Sequence, residues 1–248
     1  MDMNFLFYLR EYLFPSGCGI CGRALFNSMD AYYGLCGECR KFLSGIFEGD
    51  KTCKTCGKPL ITEKGSCLEC RKKDGNGAYN EYIERMRTFF PYSGKFQNLL
   101  GAYKFHKSKG VGNYLASCLT GVLPEINLEG DAAWVPVPPR PGKIRKQGWD
   151  QIEYLSGLLE KEHRRSFRGE KVPVNRCLKR LPSRTQKELN REERNKNLKG
   201  RILCIKKPPR IAILFDDVIT TGATLNACAA ALLEGGAEKV YGVCLFYD

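Results

Sequence analysis

The chain has 248 residues, of which 43% are hydrophobic, and a formal net charge of +13 at pH 7. The apolar content is sufficient for a hydrophobic core, which excludes a wholly disordered chain, and the length is sufficient for one or two domains. No apolar segment approaches the ~20 residues that a transmembrane helix needs, so we expect no membrane span.

Residues 5–9 are predicted to belong to a short amphipathic lead helix rather than to a secretion signal. Arg10 and Glu11 follow this apolar segment directly, and no basic segment precedes it. A secretion signal would have a basic start and a longer apolar region. We therefore expect a cytoplasmic protein, whose 13 cysteines stay reduced instead of forming a disulfide framework.

Eight of the 13 cysteines form four Cys-x-x-Cys pairs within the 53 residues from position 18 to position 70. Such a pair is a tight turn that directs two sulfur atoms toward one point, and two pairs complete a tetrahedral site that suits Zn²⁺. One isolated pair is also typical of a redox motif, whereas four pairs predict two structural zinc sites. The predicted zinc ligands are Cys18, Cys21, Cys36, Cys39, Cys53, Cys56, Cys67 and Cys70.

Two groupings of these pairs are compatible with the spacing. In the sequential grouping the first pair joins the second and the third joins the fourth, which gives two consecutive zinc ribbons. An interleaved grouping joins the first pair to the third and the second to the fourth. We favour the sequential grouping because each site then closes a short loop at a low entropic cost. A site with four thiolates has no open position, so these sites are predicted to stabilise the fold.

Downstream of the cysteine-rich segment, hydrophobic patterns predict strands that alternate with helices. The predicted strands cover 81–91, 133–137, 210–219 and 239–246, and the predicted helices cover 95–107, 112–123, 150–162 and 224–233. Polar residues 179–200 are predicted to form a long loop. Alternation of this kind indicates an α/β domain with a mainly parallel sheet. We expect two domains, a lead helix with the zinc module in 1–75 and the α/β domain in 76–248.

Positive charge is concentrated in one part of the predicted α/β domain. Residues 140–210 contain 22 basic and 8 acidic side chains, whereas residues 1–75 contain 11 and 9. The excess belongs either to an ordinary solvated surface or to a contact surface for a polyanion, such as a nucleotide phosphate or a nucleic acid. We favour the polyanion because the basic residues cluster in loop-like sequence. Aromatic residues are few in this segment, so it offers no evident platform for stacked bases.

Residues 211–224 carry the predicted chemistry. Five apolar residues form a buried strand, Asp216 and Asp217 follow at its carboxyl end, and a Thr/Gly loop then opens a helix. Ligands of open α/β sheets bind at the carboxyl ends of strands, and a helix N-terminus with nearby hydroxyls binds phosphate. In the turn after the strand, the two carboxylates can converge on a diol. We therefore predict a sugar-phosphate site, in which the loop binds the phosphate and the acids bind ribose hydroxyls.

Two other interpretations of residues 211–224 are compatible with this segment. It could be a structural strand–turn–helix unit in which the acids cap the loop. It could also be the acidic strand of an ATPase, but that enzyme needs a partner motif G-x-x-x-x-G-K-[ST], which the sequence lacks.

Residues 211–224 resemble the phosphoribosyl-pyrophosphate (PRPP) signature of type I phosphoribosyltransferases. The chain also resembles the ComF-type competence proteins, in which a cysteine-rich zinc module precedes a phosphoribosyltransferase domain. That resemblance includes Val-Pro-Val-Pro at 135–138, Gly-Trp-Asp-Gln at 148–151 and the Gln/Arg/Asn-rich stretch at 186–200. It implies a parallel-sheet, type I phosphoribosyltransferase-like domain after a small zinc-ribbon module with four-cysteine sites.

The resemblance also implies roles for individual residues. Asp216 and Asp217 would be the catalytic acids, which hold the ribose hydroxyls and favour the positive charge that develops at C1. Mg²⁺ would bridge oxygens of the pyrophosphate and the ribose. Residues that bind PRPP would be Thr220, Thr221, Gly222, Ala223 and Thr224 at the phosphate and Arg140, Lys143, Arg145 and Lys146 at the pyrophosphate. A flexible loop that closes over the site would include Gln186, Arg191, Arg194 and Asn195.

The chain departs from the family pattern at two positions. The family usually has Arg-Gly-Phe-Asn-Gln where residues 147–151 are Gln-Gly-Trp-Asp-Gln. Loss of that arginine removes one pyrophosphate contact unless Arg145 and Lys146 replace it. Asp150 adds a negative charge near the same loop, which weakens anion binding unless the carboxylate caps the following helix.

Two functions follow from the resemblance. The first is a DNA-uptake factor for natural transformation that handles single-stranded DNA and retains a PRPP site, with the zinc module available to dock a partner such as an uptake helicase. The second is an active phosphoribosyltransferase that acts on a small acceptor. The residues do not identify that acceptor, because none of them is an evident general base for it.

Overall fold

Four parallel strands form the sheet at the centre of the α/β region. The computed structural model describes residues 16–45, 52–53, 55–60, 62–71, 82–126, 130–165, 172–182 and 200–248. The strands in these residues are β1 (Arg85–Pro91), β2 (Ala132–Pro136), β3 (Leu178–Arg180), β4 (Ile202–Cys204), β5 (Ile211–Ile219) and β6 (Lys239–Tyr247). The order of the sheet is β1-β6-β5-β2, and each neighbouring pair is parallel, whereas β3 and β4 form a separate antiparallel pair.

Helices cover both faces of this sheet. Those in the described residues are α1 (Ser28–Tyr33), α2 (Gly37–Ser44), α3 (Leu68–Arg71), α4 (Lys95–Lys104), α5 (Lys109–Thr120), α6 (Lys143–Gln147), α7 (Gln151–Arg165) and α8 (Ala223–Glu234). Helices α4, α5 and α7 pack on one face and α8 packs on the other. The predicted α/β fold with a parallel sheet is therefore confirmed. Within the described residues, none of the helices combines the length and apolar character needed to cross a bilayer.

Helix boundaries differ from the prediction for local reasons. Helix α4 ends at Lys104 rather than at 107, and Lys107 has a φ of 52°, which an α-helix does not accommodate. Helix α5 begins at Lys109 rather than at 112, because the Ser108 hydroxyl accepts a hydrogen bond from the Val111 N–H at 3.4 Å. Helix α6 and the β3–β4 pair were not predicted. The predicted lead helix and the loop residues Gln186, Arg191, Arg194 and Asn195 lie outside the described residues.

The central strand β5 explains how the sheet is buried on both sides. Ile211, Ile213 and Phe215 belong to the hydrophobic cluster on the α5 face, and Ala212 and Leu214 belong to the cluster on the α8 face. All five are buried, as expected for a parallel strand with helices on both faces. This burial fixes the register that carries the next residues, Asp216 and Asp217, to the carboxyl edge of the sheet.

Residues 16–45, here called the first ribbon, pack directly on the α4–α5 region. Gly34 has a left-handed φ of 61°, and a Cβ built on it would lie 2.7 Å from the backbone nitrogen of Val111. The Asn98 amide donates to the Ile20 carbonyl oxygen at 3.2 Å, and Asn113 donates to the Tyr32 carbonyl oxygen at 2.8 Å. The first ribbon thus belongs to the same hydrophobic cluster as one face of the sheet.

The described residues between 52 and 71, here called the second ribbon, pack on strand β1. Gly57 has a φ of 71°, and a Cβ built on it would lie 2.2 Å from the Met86 carbonyl oxygen. The Lys58 ammonium group donates to the Asp248 carbonyl oxygen at 2.9 Å and lies 5.0 Å from the Tyr247 ring centroid. Cysteines of the second ribbon therefore share a hydrophobic cluster with the α8 face of the sheet.

Substitution of Gly57 tests how much stability depends on this contact. Gly57→Ala should lower the free energy of unfolding by at least about 2 kcal/mol more than Gly65→Ala, because the new methyl group would collide with the backbone of β1. Gly65 is the matched control, since its φ is 78° and nothing lies within 4 Å of its added Cβ. Urea unfolding of both zinc-loaded variants measures the difference. Equal destabilisation would mean that the second ribbon does not need its close approach to β1.

Candidate functional site

The eight cysteines of the Cys-x-x-Cys pairs form two clusters. Cys18, Cys21, Cys36 and Cys39 make the first cluster, and Cys53, Cys56, Cys67 and Cys70 make the second. Within each cluster the four Sγ atoms lie within 4.8 Å of one another. The predicted sequential grouping is therefore the one that the fold brings together, and the interleaved grouping is wrong.

The clusters have the dimensions of four-thiolate zinc sites. The Cys21 and Cys36 sulfurs are 3.8 Å apart, and so are those of Cys56 and Cys67. A tetrahedron with zinc–sulfur bonds of about 2.3 Å has sulfur–sulfur edges of about 3.8 Å. The donor set and the spacing thus fit Zn²⁺, which would be held by four sulfurs in each ribbon with no open position.

The two clusters repeat the same local structure. In the first, the Cys18 N–H donates to the Arg23 carbonyl oxygen and the Gly22 N–H donates to that of Cys18; in the second, Cys53 N–H and Gly57 N–H make the equivalent bonds. Burial raises the pKa of the Cys18 thiol, but backbone N–H groups outweigh it and lower the pKa to about 7. The same causes lower the pKa of Cys53 to about 6. These two thiols are readily deprotonated, whereas burial raises the pKa of Cys36, Cys39, Cys56 and Cys70, whose protons a bound metal ion would displace.

The acidic pair lies within strand β5 rather than in the turn after it. Asp216 pairs in register with Cys244, and the ladder continues through Ile219 and Tyr247, so the strand extends past the acids. The predicted end of the strand, residue 219, agrees with the structure, but the prediction that the acids lie in the turn after the strand is wrong. The Asp217 N–H donates to the Asp216 carboxylate at 2.8 Å.

Each acid has a different electrostatic environment. The Lys104 ammonium group, at the end of α4, forms an ion pair with the Asp217 carboxylate at 2.8 Å. Burial, followed by the negative charge of Asp217, raises the pKa of Asp216 to about 8, against an ordinary value of 3.8. The Asp216 carboxyl group is therefore mostly protonated near neutral pH. A cation or a hydrogen-bonding hydroxyl placed between the two carboxyl groups would stabilise the charged form.

The threonine loop leads into α8 as predicted. Gly222 has a left-handed φ of 75° and directly precedes the helix, and it has no side chain that could cap the first turn. The Ala223 N–H donates to the Thr221 hydroxyl at 3.4 Å. Backbone N–H groups of the first helical turn and the hydroxyls of Thr220, Thr221 and Thr224 thus stand next to the acidic pair in the chain, where an anion would be favoured.

The four predicted pyrophosphate residues are divided between a loop and helix α6. Arg140 is exposed at the end of the loop after β2, and Arg145 is exposed on α6. Lys146 lies on the same helix. Lys143 is engaged elsewhere, because its ammonium group contacts the Asp150 carboxylate at 2.7 Å and the Gln151 side-chain oxygen at 2.6 Å.

Asp150 has the capping role that the sequence left open. Its other carboxylate oxygen accepts the Glu153 N–H at 2.9 Å, at the start of α7. Since Lys143 and this cap satisfy the carboxylate, Asp150 does not face an anion as an unpaired charge. The ion pair also connects α6 to the start of α7.

Arg180 is a basic residue that the sequence analysis missed. It lies on β3, is only 8% exposed, and its Nε and Nη2 atoms have no hydrogen-bond partner among the described residues. Burial and the nearby charge of Arg140 lower the pKa of its guanidinium group, while Cys228 and Asp216 act in the opposite direction. A buried guanidinium group with two unused donors, next to the positive charge of Arg140, favours binding of an anion.

Burial alternates along strand β3, and this alternation identifies Arg180 as an inward-facing residue. Leu178 and Arg180 are buried and Lys179 between them is exposed, so an arginine stands where a strand normally has an apolar residue. The sequence predicts a long loop from residue 179 onward, because a strand of three residues is too short to show periodicity.

Comparison with known proteins agrees with this architecture. A family model described as the double zinc ribbon domain matches residues 9–71. The chain is 28% identical to competence protein F of Haemophilus influenzae over 84% of this chain and 87% of that protein. It is 27% identical to competence protein ComFC of Streptococcus pneumoniae, over 83% and 84% respectively. It is 26% identical to the DNA utilization protein YhgH of Escherichia coli K12, over 93% and 96%.

The fold and the cysteine clusters define a double zinc ribbon protein with a parallel α/β domain of the phosphoribosyltransferase-like kind. Within that class, the chain is homologous over most of its length to the ComF, ComFC and YhgH proteins of competence and DNA utilization.

Loss of one zinc site should loosen the α/β core as well as the ribbon. Cys36→Ser should reduce the zinc content from two ions to one per chain and shift tryptophan emission to the red, because Cys36 and Trp134 belong to one hydrophobic cluster. Zinc analysis and fluorescence measure both effects. Cys204→Ser, at a half-buried cysteine outside both clusters, should retain two ions. Zinc loss with unchanged tryptophan emission would contradict the shared core.

The raised pKa of Asp216 predicts a pH-dependent stability. Between about pH 4 and pH 8 the folded state binds a proton at Asp216 that the unfolded state releases, so the free energy of unfolding falls as the pH rises. Asp216→Asn removes this effect. Its stability relative to the unmodified chain should therefore increase by about 2 kcal/mol between pH 6 and pH 8. Urea unfolding in excess zinc measures it, and a difference that stays constant over this range would contradict the prediction.

Proposed function

We propose that the protein acts in the uptake of DNA during natural transformation, where it handles single-stranded DNA and binds PRPP with Mg²⁺ at the carboxyl edge of its sheet. The names of its relatives, which are competence and DNA utilization proteins, support the first part. The acidic pair, the threonine loop and the buried Arg180 support the second. We further propose that it works in the cytoplasm.

One observation carries the PRPP site. The Arg180 guanidinium, whose Nε and Nη2 atoms have no hydrogen-bond partner among the described residues, interacts electrostatically with both Arg140 and Asp216. This arrangement supports an anion subsite next to the acidic pair. PRPP has this distribution of groups, with a pyrophosphate and two ribose hydroxyls on neighbouring carbons. Arg180 and Arg140 would bind the pyrophosphate, Asp216 and Asp217 would accept hydrogen bonds from the hydroxyls, and the loop from Thr220 to Thr224 would bind the 5-phosphate.

The same arrangement favours bond cleavage at C1 of the ribose. When the C1–oxygen bond breaks, its electron pair leaves with the pyrophosphate and positive charge develops at the ring. The carboxyl groups of Asp216 and Asp217 would stabilise that charge, and the two arginines would stabilise the leaving group. Mg²⁺, bound with PRPP, would neutralise part of the pyrophosphate charge. Lys104 orients the Asp217 carboxylate through its 2.8 Å contact.

This geometry also supports the alternative function, an active phosphoribosyltransferase. A leaving-group subsite built from buried Arg180 benefits catalysis more than it benefits simple recognition of a ribose phosphate. In that case a small acceptor forms the new bond to C1 and releases its proton to water.

The zinc module has a structural role in this proposal and a second role as a docking surface. The sequence boundary between residues 1–75 and 76–248 separates the module from the transferase-like domain. Phe26, Met29 and Phe42 of the first ribbon are 70%, 54% and 45% exposed. We propose that these apolar side chains bind a protein partner, such as a helicase of the uptake machinery.

Calorimetric titration of Mg²⁺·PRPP into the zinc-loaded protein tests the site. The unmodified chain should bind, and the Asp216→Asn/Asp217→Asn double variant should lose binding. Arg180→Gln should weaken binding of PRPP and pyrophosphate at least about tenfold while leaving ribose 5-phosphate unaffected, because only the first two present a diphosphate to Arg180. The matched control is Arg210→Gln, at an exposed arginine paired with Glu238 at the opposite end of β5.

The outcomes separate the parts of the proposal. Absence of PRPP binding at millimolar concentration would overturn the site. Equal losses for PRPP and ribose 5-phosphate in Arg180→Gln would mean that Arg180 supports the fold rather than the leaving group. Release of pyrophosphate only when a candidate acceptor is added would favour the alternative function.

A further inference from the structure

A groove separate from the acidic pair lies where the first ribbon meets the α/β domain. Helix α1 of the ribbon forms one wall and helices α5 and α7 form the others, around a cavity of about 370 Å³. Its shape depends on the close contact between Gly34 and Gly110, where a Cβ on Gly110 would lie 2.5 Å from the Gly34 nitrogen. That contact brings α1 against α5 and leaves α7 on the far side.

Tyrosine rings line this groove. Tyr32, Tyr33 and Tyr154 all border the cavity, and Tyr32 is 46% exposed. The rings of Tyr32 and Tyr33 meet edge to face with centroids 4.9 Å apart. Behind them, the Arg40 guanidinium lies 5.5 Å from the Tyr33 centroid, and the Tyr114 ring packs against Tyr33 at 6.1 Å. The aromatic wall is thus held in place from behind while its front borders the cavity.

The polar lining of the groove is basic or neutral. Lys109, at the start of α5, and Lys161, on α7, stand on two of its walls, and the described residues that border it include no carboxylate. Asn113 also borders the groove, and its amide donates to the Tyr32 carbonyl oxygen at 2.8 Å, which fixes α1 relative to α5. Two ammonium groups facing aromatic rings with no acid among them favour a ligand that is both anionic and aromatic.

We propose that this groove binds single-stranded DNA, with unpaired bases stacking on the tyrosine rings and phosphates contacting Lys109 and Lys161. Binding of this kind combines a basic track with aromatic platforms and needs no reading of sequence. A duplex keeps its base faces covered, so only an unpaired strand can use the rings. The inference rests on the DNA-handling part of the proposed function and assigns it to this groove. Of the residues that line the groove, only Tyr154, Leu158 and Lys161 belong to the basic segment 140–210.

A line of aromatic rings connects this groove to the acidic pair. Tyr154 lies 4.9 Å from Trp149, and Trp149 lies 6.1 Å from Tyr103, measured between ring centroids. Burial first, and then the charge of Asp217, raise the pKa of Tyr103. The groove and the PRPP site are therefore neighbours through packed side chains, but none of the residues that line the groove belongs to the PRPP site. Groove variants should leave PRPP binding intact.

Fluorescence anisotropy with a labelled twelve-residue oligothymidine tests the groove. Tyr32→Ala should weaken binding of the oligonucleotide about tenfold, because it removes a stacking surface. The dependence of affinity on salt concentration should not change, because no phosphate contact is lost. Lys109→Gln and Lys161→Gln should each reduce the slope of log affinity against log salt by about 0.7, because each removes one phosphate contact. Tyr82→Ala and Lys239→Gln are the matched controls, since both residues are exposed and lie outside the groove.

Photocrosslinking and PRPP titration complete the test. An oligonucleotide with 5-bromouracil should crosslink to Tyr32, Tyr33 or Tyr154, and the groove variants should retain PRPP affinity within about twofold. Unchanged DNA affinity in all three groove variants, with binding retained by the unmodified chain, would overturn the groove but leave the DNA-handling function standing. Absence of DNA binding by the unmodified, zinc-loaded chain would overturn both, and preferential binding of a duplex of equal length would overturn the stacking argument.

Discussion

Close backbone contact between the ribbons and the α/β domain is the constraint on which most of this structure depends. At Gly34 and Gly57, the ribbon backbone lies against helix α5 and strand β1 with no room for a side chain. Both glycines also have a left-handed φ that other residues adopt only at a cost. The turns must therefore be held rigidly. In each cluster the four sulfur atoms lie within 4.8 Å of one another, so a bound zinc ion can hold the turn. Zinc ribbons in this chain are parts of the core on both faces of the sheet.

A second constraint is electrostatic and lies at the carboxyl edge of the sheet. Three different elements bring together two adjacent acids in β5, a buried arginine on β3 and a lysine at the end of α4. Within the part of the chain that the structure describes, the Lys104–Asp217 contact is the one ion pair in this group. Asp216 is left with a raised pKa and Arg180 with unused donors. Such uncompensated groups reduce stability, and they are common where a ligand supplies the missing charge.

The parts of this structure that depend on local pattern could be predicted from the sequence. Buried strands such as β5 and the cysteine clusters follow from apolar runs and from fixed spacing. The acids were predicted to lie in the turn after the buried strand. Their actual position inside the strand depends on pairing with β6, which no local pattern reveals. Arg180 escaped for the same reason, because a strand of three residues is defined by its partner β4. The engagement of Lys143 with Asp150 is likewise a tertiary contact that charge counting does not distinguish from a free cation.

The order β1-β6-β5-β2 has a consequence for synthesis on the ribosome. Strand β1 ends at residue 91, but β6, its one neighbour in the sheet among the described residues, begins at residue 239. The edge of β1 that pairs with β6 therefore stays unpaired while the intervening residues are translated, which takes roughly 10–30 seconds at about 5–20 residues per second. During that interval the second ribbon is the neighbour already available to β1, since the Thr88 N–H donates to the Gly57 carbonyl oxygen at 3.4 Å. If zinc binds early, the folded second ribbon would cover part of β1 during synthesis and lower its tendency to aggregate.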